Sequence, residues 1–133
     1  MIQLNEGTSG NIVALTLNEN TTISAPIYYL FEFIGQDTNT SVEFLATDTT
    51  WDRCRFNLFN IELVSVANID LTQAKINLSG GRYKYNIYQQ NSSSNLIPAN
   101  ALGVVETGFV QVNIPITQTV YVDQENNNIV YNG

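Results

Sequence analysis

Histidine is absent from this chain and cysteine occurs once, at Cys54. Those two facts exclude a Cys–His or Ser–His dyad, a Cys/His zinc set and an intramolecular disulfide. The lone thiol is expected to behave as a small buried hydrophobe. Charge is scarce too. Only 13% of the 133 residues are charged, against about a quarter in ordinary soluble domains. Lys and Arg are missing from the first 52 positions, which hold Glu6, Glu19, Glu32, Asp37, Glu43, Asp48 and Asp52. The later acids and bases balance, so the net charge of -7 belongs to that first segment. A chain without a basic cluster repels phosphate, and no nucleic-acid partner is expected. No apolar run approaches the roughly 18 residues of a membrane-spanning helix. The opening "MIQLNEGTSG" has neither the basic nor the apolar region of a secretory signal, so export by that route is not expected. G-x-S-x-G and phosphate-loop glycines are also missing.

What replaces charge is Asn, Thr, Ser and Gln, on a chain that is 44% apolar. Its length fits one domain, residues 1–133, with enough chain to bury a core. Period-two alternation runs through most of it. "NIVALTL" (11–17) puts Val13, Leu15 and Leu17 on one face. "APIYYLFEFIG" (25–35) is apolar on both faces, as an interior strand is. "SVEFLAT" (41–47) follows the turn "GQDTNT" and makes the second arm of a hairpin. "GGRYKYNIYQQNSSSNL" (80–96) alternates Arg82, Lys84 and Asn86 against Tyr83, Tyr85 and Ile87, then passes into a polar loop. "QAKINL" (73–78), "GVVETGFVQVNI" (103–114), "QTVYV" (118–122) and "NIVY" (128–131) complete the strands. Segments 47–55 and 97–103 have room for one helical turn each.

In "RFNLFNIELV" (55–64) the apolar parity slips: Phe56 and Leu58 share one face, and Phe59, Ile61 and Leu63 the other. A β-bulge at Leu58–Phe59 would absorb that slip. The fold predicted is all-β, a single antiparallel β-sandwich, Ig-like or jelly-roll in topology, with little helix. Tyr29, Phe31, Phe33, Phe56, Tyr83, Tyr85, Ile87, Val110 and Val112 are expected to line its core.

Two stretches carry side chains with possible chemistry. "DTTWDRC" gathers Asp48, Trp51, Asp52 and Arg53. Trp51 is placed to stack on a sugar or the Asp pair to help hold Ca²⁺, while the plainer reading has Trp51 plugging one end of the core. "DQENNN" (123–128) lacks the spacing of a calcium loop and reads as a hairpin turn. No catalytic residue, metal or cofactor is assigned.

The segments "SAPIYYLFEFIG", "SVEFLATDTT", "RFNLFNIEL", "GGRYKYNIYQQNSSSNL" and "VVETGFVQV" occur in that order. Together they resemble the small all-β structural proteins of tailed bacteriophages, notably the crAss-like phages of gut Bacteroidetes. Within that group the sequence looks like the auxiliary (decoration) and head-fibre proteins of the capsid, over roughly residues 11 to 131. The resemblance implies a non-enzymatic virion protein, made in the host bacterial cytoplasm and carried in multiple copies on the capsid exterior. Its partners would be the major capsid protein or other head and fibre proteins, with no membrane involved.

On that view the acidic first segment is the docking candidate, with Glu6, Glu19, Asp37 and Glu43 at or near turns. The rival reading is a carbohydrate-binding β-sandwich module of a phage fibre or tail, in which Trp51, Tyr88, Tyr121 or Tyr131 stacks on host surface glycans. Exposed coplanar rings would favour it, and rings turned into the core would favour a scaffold. A small hydrolase would need two carboxylates facing one another across a cleft.

Overall fold

A computed structural model describes residues 1–6, 10–37, 39–49 and 56–113. Eight strands run through them: β1 (Ile2–Asn5), β2 (Asn11–Leu15), β3 (Tyr28–Gly35), β4 (Ser41–Ala46), β5 (Asn57–Leu63), β6 (Lys75–Ile76), β7 (Gly81–Gln90) and β8 (Val104–Asn113). The helical pieces among the described residues are 3₁₀ turns of three residues, one of them Pro98–Asn100 in the segment expected to hold a turn. The protein is mostly β with little helix. The expected strands at 118–122 and 128–131, the thiol of Cys54 and the helical turn before Phe56 lie outside the described residues.

One sheet has five strands in the order β1-β8-β7-β3-β4, the other three in the order β2-β5-β6. Of the expected single antiparallel β-sandwich, the β-rich and helix-poor character holds, while the sheets are mixed. β1 runs parallel to β8, and β5 parallel to β6. The first parallel pair comes from a strand that the alternation did not reveal. "IQLN" is too short to declare itself, but Ile2 and Leu4 are buried against the core.

The two sheets meet through aromatic rings. Phe59 of β5 packs edge-on against Phe31 and Tyr29 of β3, with centroids 5.0 and 5.9 Å apart. Phe44 of β4 stacks on Phe31 at 5.2 Å and meets Phe33 edge-on at 4.9 Å. Such pairs add about 0.5–1.5 kcal/mol each beyond their buried area. Strand β3 sits between β4 and β7, so both of its hydrogen-bonding edges are paired. Leu30 and Leu45, opposite one another on the face away from these rings, are buried as well. The β3–β4 hairpin closes with Gly35 N–H donating to the Thr40 carbonyl at 2.7 Å. Asn39 there takes a φ of 55°, a region that Asn tolerates.

Eight of the nine expected core residues are buried, and Phe56 is not: it stands just before β5 and is 36% exposed. The bulge expected at Leu58–Phe59 is likewise corrected. The β2–β5 ladder runs unbroken from Asn11 opposite Ile61 to Leu15 opposite Asn57. Asn57 is the physical reason. It takes the inward position in phase with Phe59 and Ile61, so the strand holds one parity and Phe56 falls outside it.

Its buried carboxamide is fully engaged: Oδ1 accepts from Leu17 N–H at 3.0 Å, and Nδ2 donates to Asp48 at 2.7 Å. The irregularity lies elsewhere, between Ile87 and Tyr88, which face Glu106 and Val104. That extra residue on β8 lets two consecutive side chains turn inward, Val105 into the core and Glu106 beside it.

Candidate functional site

The docking candidates fall at three places. Glu6 follows β1 and Asp37 follows β3, both exposed. Their strands end on the same side of the five-stranded sheet, with β7 and β8 between them. Three strand spacings separate them, about 14 Å. Glu19 is exposed in the 3₁₀ turn Asn18–Asn20, at the opposite end. Glu43 is half-buried in the middle of β4, directly across from Glu32. Trp51, Tyr121 and Tyr131 lie outside the described residues.

Tyr88 belongs to the outward face of the five-stranded sheet, and its neighbours there are what the sequence reading missed. Its hydroxyl donates to Glu32 Oε1 at 2.8 Å, and Asn86 Nδ2 donates to the same oxygen at 3.1 Å. Burial first, and then the Glu32 carboxylate, push the phenol pKa up to about 12. On the same face Arg82 lies over the ring of Phe109, 5.0 Å from its centroid. Phe109 and Tyr28 are 43% and 40% exposed. The signal was present in the alternation of Arg82, Lys84, Asn86 and Tyr88. The partners come from β3 and β8, which only the sheet order brings alongside. Glu32 and Glu43 stand side by side on this open face and do not confront each other across a cleft.

A second feature is the slot between β1 and β2, the facing edges of the two sheets. It has a volume of about 340 Å³ and is lined by Met1, Gln3, Ile12, Ala14, Tyr85 and Glu106, among others. Tyr85 hydroxyl donates to Glu106 at its floor. Burial first, then Glu106, raises the Tyr85 pKa well above the ordinary phenol value. At one end the slot is closed by a side chain standing in for a peptide. Asn11 Oδ1 accepts from Asn5 N–H at 2.9 Å, and its Nδ2 donates to the Asn5 and Ile61 carbonyls at 3.3 and 3.1 Å.

A cleft of about 330 Å³ lies between Tyr28, Leu45 and Asp48. Asp48 there accepts from Asn57 Nδ2 and from Leu58 N–H, so its carboxylate anchors a strand. Among the described residues, no three His, Cys, Asp or Glu side chains converge as metal ligands. No protein-family model, curated protein or solved structure matches the chain.

Proposed function

We propose that this chain is a non-enzymatic structural protein of a bacteriophage virion, an auxiliary (decoration) or head-fibre protein held on the capsid exterior by protein–protein contacts. The observation that carries the reading is where the rings go. Tyr29, Phe31, Phe33, Phe44, Phe59, Tyr83 and Tyr85 are all buried, and the Tyr88 hydroxyl is bound within its own sheet. Rings committed to a rigid core suit a scaffold, whereas sugar stacking needs them on the surface.

The finer fold within this proposal is an Ig-like β-sandwich. Two features support it. The order β8-β7-β3-β4 matches strands G-F-C-C′ of the variable-type immunoglobulin sheet, with β2 and β5 as B and E of the other. Tyr83, near the start of β7, donates its hydroxyl to the Ser79 carbonyl at 2.9 Å, four residues upstream, as in a tyrosine corner. β6 departs from the pattern, since it follows β5 and pairs with it in parallel.

The partners on this reading are the major capsid protein or other head and fibre proteins. Many copies on one lattice let each contact be weak. The experiment is co-sedimentation of the protein with purified heads of the parent phage across a salt series. Reversing Glu6, Glu19, Asp37 and Glu43 together should weaken attachment and flatten its salt dependence, because exposed pairs are screened. Failure of the wild-type protein to sediment with heads defeats the reading.

One observation favours the carbohydrate-binding alternative: Tyr28 and Phe109 are exposed on the face that also carries Glu32, Glu43 and Asn86. Retention on host polysaccharide, lost in the Tyr28→Ala and Phe109→Ala variants, would decide for it.

A further inference from the structure

We propose that the outward face of the five-stranded sheet pairs with the same face of a second copy of this chain, about a two-fold axis, with the strands of the two copies crossing at about 90°. The face carries both signs of charge. Arg82 and Lys84 point outward from β7 two residues apart, about 7 Å along the strand, and both are exposed. Glu32 and Glu43 stand opposite one another on β3 and β4, about 5 Å apart across the strands.

Within one copy these groups do not pair. The one ion pair among the described residues joins Lys75 to Glu62. Arg82 is two strands and four residues from Glu43, about 17 Å. Lys84 is nearer to Glu32, but that carboxylate is already held by Tyr88 and Asn86.

The cations are arranged along a strand and the carboxylates across strands, and that right angle selects the geometry. Orthogonal crossing is one of the two ways in which sheets pack face to face, about 10 Å apart. A two-fold axis on the diagonal of such a crossing turns the strand direction of one copy into the across-strand direction of the other. Lys84 of each copy then lies over Glu32 of the other, and Arg82 over Glu43. Ile34 and Asn86, both half-buried, fall near the axis and meet their own counterparts. The Arg82 guanidinium is steadied for its contact by the Phe109 ring, 5.0 Å from the centroid. Stacked in this way, it keeps N–H donors for a carboxylate.

A second copy is the occupant that fits, because one face supplies both halves of the contact, as in an isologous interface. The chain as a whole carries a net charge of -7, so two copies repel except where their charges interleave. Pairing also covers Phe109, which is 43% exposed. The strands β8, β7, β3 and β4 offer a footprint of roughly 500 Å². Each partner in a standard interface gives about 800 Å², so a weak dimer is expected.

Sedimentation equilibrium of the full chain tests this without any phage component, so its outcome is separate from that of co-sedimentation with heads. The chain should pass from monomer to dimer as concentration rises, and added salt should reverse the shift. Arg82→Glu and Glu43→Lys each set like charges against one another twice per dimer, and each should weaken self-association about tenfold. Mixed in equal amounts, the two variants should pair with one another about as tightly as the unaltered chain does, because opposite charges then meet at both contacts. Both variants remain net acidic, so overall charge does not draw them together, and the recovery shows that both are folded. A chain still monomeric at about 1 mM overturns the proposal. So does a dimer unmoved by either reversal, or a mixture that associates no more tightly than the separate variants. Retention on host polysaccharide by a chain that stays monomeric also overturns it, and gives the face to a glycan.

Discussion

The ring of Tyr85 lies across Gly108, its partner on β8: a Cβ at residue 108 would stand 2.7 Å from Cε2 and 2.8 Å from both Cζ and Oη. Only a residue without a side chain lets the phenol cross β8 and reach Glu106. Gly108→Ala should therefore displace a buried ring and cost about 1–3 kcal/mol, as overpacking does. Adding Tyr85→Ala should not add a second full penalty, because both changes act on one contact. Urea unfolding of the two single variants and the double variant measures the coupling, and strict additivity would contradict it.

Alkali should find Tyr88, which like Tyr85 donates its hydroxyl to a carboxylate. The Tyr88 pKa is raised from the ordinary phenol value to about 12 by burial and by Glu32. A group whose folded pKa is raised contributes fully below its unfolded value and loses that contribution as pH climbs through the folded one. The Tyr88 contribution should thus be intact up to about pH 10 and gone a little above pH 12. The pKa of Tyr85 is raised in the same direction. Unfolding midpoints followed across that window should fall less steeply in Tyr88→Phe than in the unaltered protein. Equal slopes would mean that Tyr88 is not linked to folding.

What could be read from the residues alone follows from where the physics is local. The β3–β4 hairpin and β7 were legible because their turns and period-two alternation are written in consecutive residues. Phe56 was misplaced because an inward amide, Asn57, looks like surface to any count of apolar parity. Strand β1 was invisible because four residues with two apolar side chains become a strand only when β8 receives them. The same holds for the sites. Tyr88 could be placed on an outward face, but its acceptor Glu32 is 56 residues away and meets it only through sheet order. Glu6, Glu19, Asp37 and Glu43 share a charge-biased segment, yet the fold distributes them between two ends and one face.

Asn57 offers a sharper test of a buried amide. Asn57→Ala removes the acceptor of Leu17 N–H and a donor to Asp48, and should cost about 1–3 kcal/mol. Asn57→Asp preserves the acceptor but sets a carboxylate where Nδ2 stood, 2.7 Å from Asp48 Oδ2. Two carboxylates so placed disfavour ionising together. This variant should be the less stable of the two at neutral pH and regain stability in acid, as one of the pair takes a proton. Thermal melts at neutral and acid pH should therefore reverse or narrow the order of the two variants. A pH-independent gap would show that the inward position tolerates charge.

Glu43 separates folding from attachment, because one substitution should move them in opposite directions. It stands opposite Glu32 on β3, and Glu32 already accepts from Tyr88 and Asn86, so the pair sets like charges across neighbouring strands. Opposed like charges destabilise and opposite charges stabilise by about 0.2–1 kcal/mol. Glu43→Lys should therefore raise stability by up to about 1 kcal/mol in dilute buffer, with the gain shrinking as salt is added. Glu43→Gln should recover only the relief of repulsion, a smaller, salt-dependent gain. If Glu43 belongs to the docking surface, Glu43→Lys should also weaken attachment to heads, by no more than an exposed pair is worth, about 0–1 kcal/mol. Melts at two salt concentrations measure the first effect and co-sedimentation the second. A Lys variant less stable than the Gln variant would mean that the outward face around Glu32 does not accept a cation.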